Sequence, residues 1–285
     1  MKRKLFCEFG PICYQISLRK ERIKRNIKDF FSKDMIAHDK TDVDLKYLIK
    51  SHYSPIERKL TGVNPVLQKS KRINIEIASS KINKLIIHPN EVFSFWKIVG
   101  EPSYQNGYRE GLVITNHGFK SGIGGGLCQM ANMVHWLVLN SPLEVIELHH
   151  HTDALFPDAD RRIPFGTGTS VAFNNIDYRF RNNTDADIEL LTWCKDGVLM
   201  GEIRSSIEFP YHYRIVEEGN YFVKEKEDYY RISKVYQLVI DKRNDKIIAK
   251  NLVLDNHSKV MYDHELIPKE QIKDVRWDLW ISRMP

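Results

Sequence analysis

Ile75, Ala78, Ile82 and Leu85 recur at spacings of three and four, which predicts one apolar stripe of an amphipathic helix stopped by His88-Pro89-Asn90. Val92-Phe93-Ser94-Phe95-Trp96 comes next as a short aromatic extended segment. After Gly122, Gly124-Gly125-Gly126 reads as a loop held in dihedrals that glycine alone tolerates, and residues 127–139 then run apolar at helical length until Asn140-Ser141-Pro142. Beyond this helix the period falls to two. Strands are predicted over 145–148, 170–173, 177–181, 188–194 and 198–203, with turns at Asn174-Asn175, Asn182-Asn183 and Asp196-Gly197. Residues 235–240 and 247–254, flanking Arg243-Asn244-Asp245, predict a further hairpin. The pattern describes an α+β protein: an antiparallel sheet with a buried helix following a Gly-rich loop that carries a cysteine. It divides the chain into a basic N-terminal region (1–68) whose fold the pattern leaves undefined, a central domain (69–205) and a C-terminal β-rich region (206–285).

Composition changes this picture little. At 285 residues, 42% hydrophobic and 28% charged, the chain is long enough for one large core or two small ones, and collagenous, low-complexity and disordered readings are excluded. Charge adds more, because the net +6 is not evenly spread. Residues 1–28 hold nine basic groups against Glu8 and Glu21, a local +7, and the rest of the chain is near neutral. A nucleic-acid footprint would need cations spread over a face, so no nucleic-acid partner is expected. The excess describes a cationic arm, read either as a solvated helix or as a contact with an anionic substrate or the anionic inner face of a membrane. A spanning helix needs roughly 20 consecutive apolar residues, and no window qualifies. Lys2-Arg3-Lys4 imitates a signal n-region, but Glu8, Gly10 and Pro11 interrupt the stretch after it, so the chain is expected to be unexported and cytoplasmic. Cysteines at 7, 13, 128 and 194 make no CxxC and no zinc-ribbon spacing, which fits a reducing compartment without a disulfide framework.

The candidate chemistry lies where the glycine loop meets the long helix. Cys128 there would face unpaired backbone N–H groups and the positive end of the helix dipole, both of which favour thiolate. The same N–H groups, with those of Gly124, Gly125 and Gly126, would hold an oxyanion, and the Gln129 amide is a further donor. The bland alternative is a small core residue under a structural turn. A covalent cysteine mechanism also needs an imidazole, and His149-His150-His151 ends a predicted strand some twenty residues later. Strand alternation puts His149 and His151 on one face. Zinc on Cys128, His149 and His151 would lack a fourth ligand at a recognisable spacing, so no metal and no cofactor is expected. His135, two turns beyond Cys128 and about 10 Å along the axis, reads as a core histidine with Trp136 as a core aromatic, and His117 as a turn residue. Asp177 and Arg179 share a strand face, read either as solvated or as substrate-facing. Asp153, Asp158 and Asp160 lie close enough in sequence to orient a histidine.

Three segments carry a family resemblance: Pro89-Asn90-Glu91-Val92-Phe93-Ser94-Phe95-Trp96, Gly124-Gly125-Gly126-Leu127-Cys128-Gln129, and Ile176-Asp177-Tyr178-Arg179-Phe180-Arg181-Asn182-Asn183-Thr184. In order and spacing they resemble the VanW family over roughly residues 70–205. The resemblance implies a vancomycin-resistance and cell-wall connection and, for some members, a peptidoglycan L,D-transpeptidase role for the motif cysteine. That role falls on Cys128, and the family histidine after the long helix on His151, with His149 beside it. Two departures stand out. Thr167-Gly168-Thr169-Ser170-Val171 occupies the place where the family often has Asp in G-x-D-A-x-V, so no orienting carboxylate comes from there. Asn90 replaces a usual Gly, a mild change because Asn tolerates a left-handed turn. The implied partner is peptidoglycan peptide or its anionic precursor. The implied action is cysteine-dependent acyl transfer, or alternatively non-catalytic binding of precursor or of a partner protein in the resistance pathway.

Overall fold

A computed structural model describes residues 5–57, 65–115, 118–150, 153–154, 157, 163–173 and 175–273. The chain is α+β, and it forms two compact units. Unit 1 comprises residues 1–138, 142–149 and 169–208; unit 2 comprises 139–141, 150–168 and 209–285.

Unit 1 opens with helix α1 (Pro11–Phe31), strand β1 (Tyr47–Pro55), helix α2 (Pro65–Ile82) and strand β2 (Leu85–Ile87). Strand β3 (Val92–Ser94), the short helix α3 (Phe95–Val99), the hairpin β4 (Glu110–Thr115) and β5 (Gly118–Ile123), and helix α4 (Leu127–Leu139) come after. Strand β6 (Glu144–Glu147) ends this run; β7 (Asp153–Ala154) belongs to unit 2, and β8 (Arg179–Arg181), β9 (Ile188–Lys195) and β10 (Val198–Ser205) return to unit 1. The main sheet has the order β1-β10-β9-β2, all antiparallel. A second, three-stranded antiparallel sheet has the order β3-β8-β6.

Helix α4 matches its predicted span, since thirteen mostly apolar residues begin at a glycine loop and stop at Asn140-Ser141. It packs over β10 at Gly201, where a Cβ would lie 2.9 Å from Leu137 Cδ1. Helix α2 buries Ile75, Ala78 and Ile82 completely, as its stripe predicts. It ends at Ile82, however, because Lys84 takes a left-handed φ of 65° and Leu85 begins a strand. Leu85 keeps the period only because it too is buried. Of the extended segment at 92–96, Val92–Ser94 is a strand while Phe95 and Trp96 open α3, whose start is capped by Ser94 Oγ accepting from Lys97 N–H. The strand predicted over 170–173 is reduced to a single bridge, Ala172 to Ile176, across a tight turn. Asp196-Gly197 makes the expected hairpin turn, with φ of 50° and 76°.

Unit 2 is built on three long antiparallel strands, β11 (Tyr211–Glu225), β12 (Asp228–Asp241) and β13 (Ile247–Val260), and β14 (Ile272–Lys273) and β7 add at the edges in parallel. Its core gathers Ala154, Phe165, Phe222, Val260 and Ile267. Arg231 is buried beside it, its guanidinium 4.4 Å from the Phe165 ring centroid.

Candidate functional site

Gly125 sits where β4 crosses under the glycine loop. A Cβ on it would meet the Gly111 carbonyl carbon at 2.2 Å and oxygen at 2.5 Å, so only glycine fits. Gly124 and Gly126 have φ of 78° and 104°, the conformation expected of the motif. Asn74, fully buried on α2, fastens the loop: its Nδ2 donates to Gly125 O and Arg109 O, both at 2.9 Å, and its Oδ1 accepts from Arg109 N–H at 2.7 Å. The N–H groups of Gly124, Gly125 and Leu127 donate to backbone carbonyls of Arg109, Gly122 and Gly124. Among the described residues, the amides of Gly126 and Cys128 have no such partner, so any oxyanion pocket narrows to those two.

Cys128 lies in the first turn of α4, partly buried, with Sγ donating weakly to Val171 O at 3.8 Å. Burial pushes its thiol up, opposite to the thiolate expected from the helix end. The Gln129 amide does not face the loop, because its Nε2 donates to Ser54 Oγ and Pro55 O on β1, both at 2.8 Å.

Residues 169–171 link the cysteine to a histidine. Thr169 N–H donates to Asn132 Oδ1, one turn along α4 (2.7 Å), and Ser170 N–H donates to His149 O (2.8 Å). The next residue, Val171, accepts from Cys128. Two successive residues thus contact His149 and Cys128 from one short stretch of unit 1. His149 Nε2 lies 3.1 Å from Glu147 Oε1. Sequence reasoning missed Glu147, although continued strand alternation would have set it on one face with His149; in the structure β6 ends at Glu147 and His149 lies just beyond it. His150 belongs to unit 2, with Nδ1 2.9 Å from Gly166 O. His151, His117, Asp158 and Asp160 lie outside the described residues. Asp153 belongs to unit 2, on β7. His135 is a core histidine as expected, fully buried with Nδ1 3.1 Å from Tyr178 Oη, and Trp136 is only partly buried. Among the described residues no group of three His, Cys, Asp or Glu side chains is arranged to hold a metal.

Asp177 and Arg179 are neither solvated nor substrate-facing. They are 2% and 5% exposed, at the centre of a charge cluster formed at the start of β8 and just before it. Asp177 Oδ2 accepts from Ser94 Oγ (2.6 Å) and Arg179 Nε (2.7 Å), and its Oδ1 accepts from the N–H groups of Tyr178 (2.9 Å) and Trp96 (3.1 Å). Arg179 Nη2 donates to Asp29 Oδ1 on α1 (2.7 Å). Arg25, one turn earlier on α1, makes a two-pronged pair with Glu147, donating also to Asn175 O. The space left between these groups and Lys97 is about 10 Å³, no more than one water could use. The pair neutralises itself, and hydrogen bonds from Ser94 and Trp96, more than 80 residues away in sequence, together with the Asp29 carboxylate, satisfy what remains and allow its burial. Burial works against the Arg179 cation, yet Asp177 and Asp29 outweigh it and raise its pKa.

Burial alone would raise the Glu147 carboxyl, but hydrogen bonds from Arg25 and His149 outweigh it and hold the group down at about 2. A depressed carboxylate contributes stability that is present above its unfolded pKa of 4.5 and is lost as pH falls toward 2. Its share is on the order of 3 kcal/mol. Urea unfolding between pH 6 and pH 3 should therefore show a steep loss of stability that Glu147→Gln flattens. An equally steep loss in the variant would assign the acid sensitivity elsewhere.

Known proteins give this geometry a context. A model of VanW-like proteins matches residues 70–204. The chain is also 28% identical over 218 residues to the vancomycin B-type resistance protein VanW of Enterococcus faecalis, covering 76% of this chain and 79% of that protein. Residues 70–204 are thus a VanW-like region. The uncharacterized protein YoaR of Bacillus subtilis is 28% identical over 120 residues, 42% of this chain and 38% of its own length. No solved structure matches. Within the VanW-like region, two of the three motif segments serve each other. Val92, Phe93 and Ser94 pair with Arg181, Phe180 and Arg179, and buried Asn182 donates to Ile87 O and Ala186 O. Asn90 accepts its substitution for glycine at φ 68°, with its N–H on Asn182 O. These two segments build a sheet of unit 1, and the VanW glycine loop alone carries the cysteine.

Proposed function

We propose that this chain is a vancomycin-resistance-associated cell-wall protein that performs cysteine-dependent acyl transfer on peptidoglycan peptide or its precursor. The observation that carries this reading is that the Cys128 thiol and the His149 backbone carbonyl meet adjacent residues, Val171 and Ser170, with the Glu147 carboxylate on the His149 ring. Glu147 thereby fills the orienting role that the missing motif Asp leaves vacant. Cys128 Sγ attacks the peptide carbonyl carbon as His149 takes the thiol proton. The Gly126 and Cys128 amides receive the developing oxyanion. The C–N bond then breaks, His149 returns the proton to the leaving amine, and a thioester remains on Cys128. An acceptor amine, or water, attacks that thioester and regenerates the thiol. Because burial pushes the thiol up, the resting nucleophile is neutral, and deprotonation by the base accompanies attack.

A second reading, a non-catalytic module that binds precursor or a partner protein, is favoured by that same neutral thiol and by the engagement of the Gln129 amide with β1. Mass spectrometry of the protein incubated with stem peptides and precursors separates the two. Acyl transfer predicts an adduct on Cys128 equal to the peptide less its leaving residue, absent in Cys128→Ala and slowed about 100-fold in His149→Gln. No adduct with any donor, together with binding that survives Cys128→Ala, would establish the binding module instead.

A further inference from the structure

Helix α1 is attached by its charged face and turns its apolar face to solvent. Arg25 binds Glu147, Asp29 binds Arg179, and the Arg22 guanidinium lies 5.3 Å from the Phe173 ring centroid. On the other side, Ile12, Ile16, Ile23, Ile27 and Phe30 fall within about 60° of arc. All five are exposed, from 51% at Ile16 to 82% at Phe30, and no residue of the helix is buried. An amphipathic helix on a globular protein ordinarily does the reverse, packing its apolar stripe on the core. A continuous exposed stripe of this length marks an interaction surface.

Charge selects the occupant. Arg19 borders the stripe on one side, and Lys20 and Lys24 border it on the other, with Lys28 beyond. The helix has two acidic residues: Glu21 pairs with Lys24 at 2.9 Å, and Asp29 is turned inward to Arg179. The outward face therefore combines aliphatic and aromatic side chains with a cationic rim. Two copies meeting stripe to stripe would oppose these rims, like charge against like. An anionic bilayer satisfies both features at once: acyl chains receive the stripe and lipid phosphates receive the rim.

We infer that α1 is a peripheral membrane-docking helix that lies in the headgroup region of an anionic bilayer with Ile12, Ile16, Ile23, Ile27 and Phe30 inserted. The Arg25–Glu147 and Asp29–Arg179 pairs hold the helix with this face outward. Exposed Leu5, Phe6 and Phe9 just before it extend the apolar surface. Docking of this kind is parallel to the surface; no helix among the described residues is long and apolar enough to cross a membrane. The inference is independent of the chemistry at Cys128.

The test is co-sedimentation of the full chain with vesicles of pure phosphatidylcholine and with vesicles containing phosphatidylglycerol. Binding is expected to the anionic vesicles, to weaken at high salt, and to fall at least about tenfold in Ile16→Asp/Ile23→Asp and in Lys20→Glu/Lys24→Glu. Both pairs are solvent-exposed, and circular dichroism checks that the variants stay folded. Failure to bind anionic vesicles, or binding that folded variants retain, would overturn the inference. A concentration-dependent dimer abolished by Ile16→Asp/Ile23→Asp, without vesicle binding, would instead assign the stripe to a second copy of the chain.

Discussion

Asp177→Ala is expected to lower the thermal transition of unit 1 by about 10 °C, corresponding to roughly 3–5 kcal/mol. The carboxylate accepts four hydrogen bonds, from Ser94, Trp96, Tyr178 and Arg179. Removing it strands the buried Ser94 hydroxyl and the Trp96 and Tyr178 amides, and leaves the Arg179 cation with Asp29 as its main counter-charge. Asp177→Ala leaves the buried cluster with one positive charge in excess, whereas replacing Asp177 and Arg179 together by apolar residues of similar size keeps it balanced, so the single variant should be the worse of the two. Differential scanning calorimetry of the three proteins checks this. A shift under about 2 °C for Asp177→Ala would mean that water compensates the cluster. The same variant should loosen α1, whose attachment runs through Arg179 and Asp29, and amide hydrogen exchange along residues 11–31 should rise.

Gly125→Ala is expected to cost about 3 kcal/mol or more, because its Cβ would overlap the Gly111 backbone, which has no side chain to rotate away. The loop would have to lift from β4, breaking the Asn74 hydrogen bonds and shifting the start of α4 together with Cys128. Gly197→Ala is the natural comparison. Nothing lies within 4 Å of a Cβ there, and the only cost is the left-handed φ, about 1 kcal/mol. Urea midpoints with unchanged slopes would quantify the difference. Equal losses for the two variants would show that the loop relaxes freely and that close approach is not what position 125 requires.

Several elements were legible in the sequence because their signals are local. The α4 helix announces itself by thirteen mostly apolar residues between a glycine loop and Asn140-Ser141, and β9 and β10 by alternation around Asp196-Gly197. The end of α2 was not legible, since Leu85 is buried like the helical stripe before it and periodicity records burial, not dihedrals. At 170–173 the apolar residues suggested a strand, yet they turn back on Ile176, while Thr169 and Ser170 spend their N–H groups on Asn132 and His149. The cysteine at the start of α4 could be read as a candidate directly. Its ionisation could not, because the helix end favours thiolate while tertiary burial favours thiol, and burial outweighs it.

By itself the sequence determined the α+β class, the glycine loop with Cys128 at the start of a buried helix, the VanW resemblance and the N-terminal charge excess. Period and composition encode these locally. Only the tertiary structure decided which side each charged group faces. Asp29 and Arg25 meet Arg179 and Glu147 across 150 and 122 residues. Two-residue alternation says that Asp177 and Arg179 share a face; distant hydrogen-bond donors and the Asp29 carboxylate decide that the face is buried. The same long-range pairs turn α1 around, so a helix whose apolar stripe would ordinarily point to the core presents it to the outside.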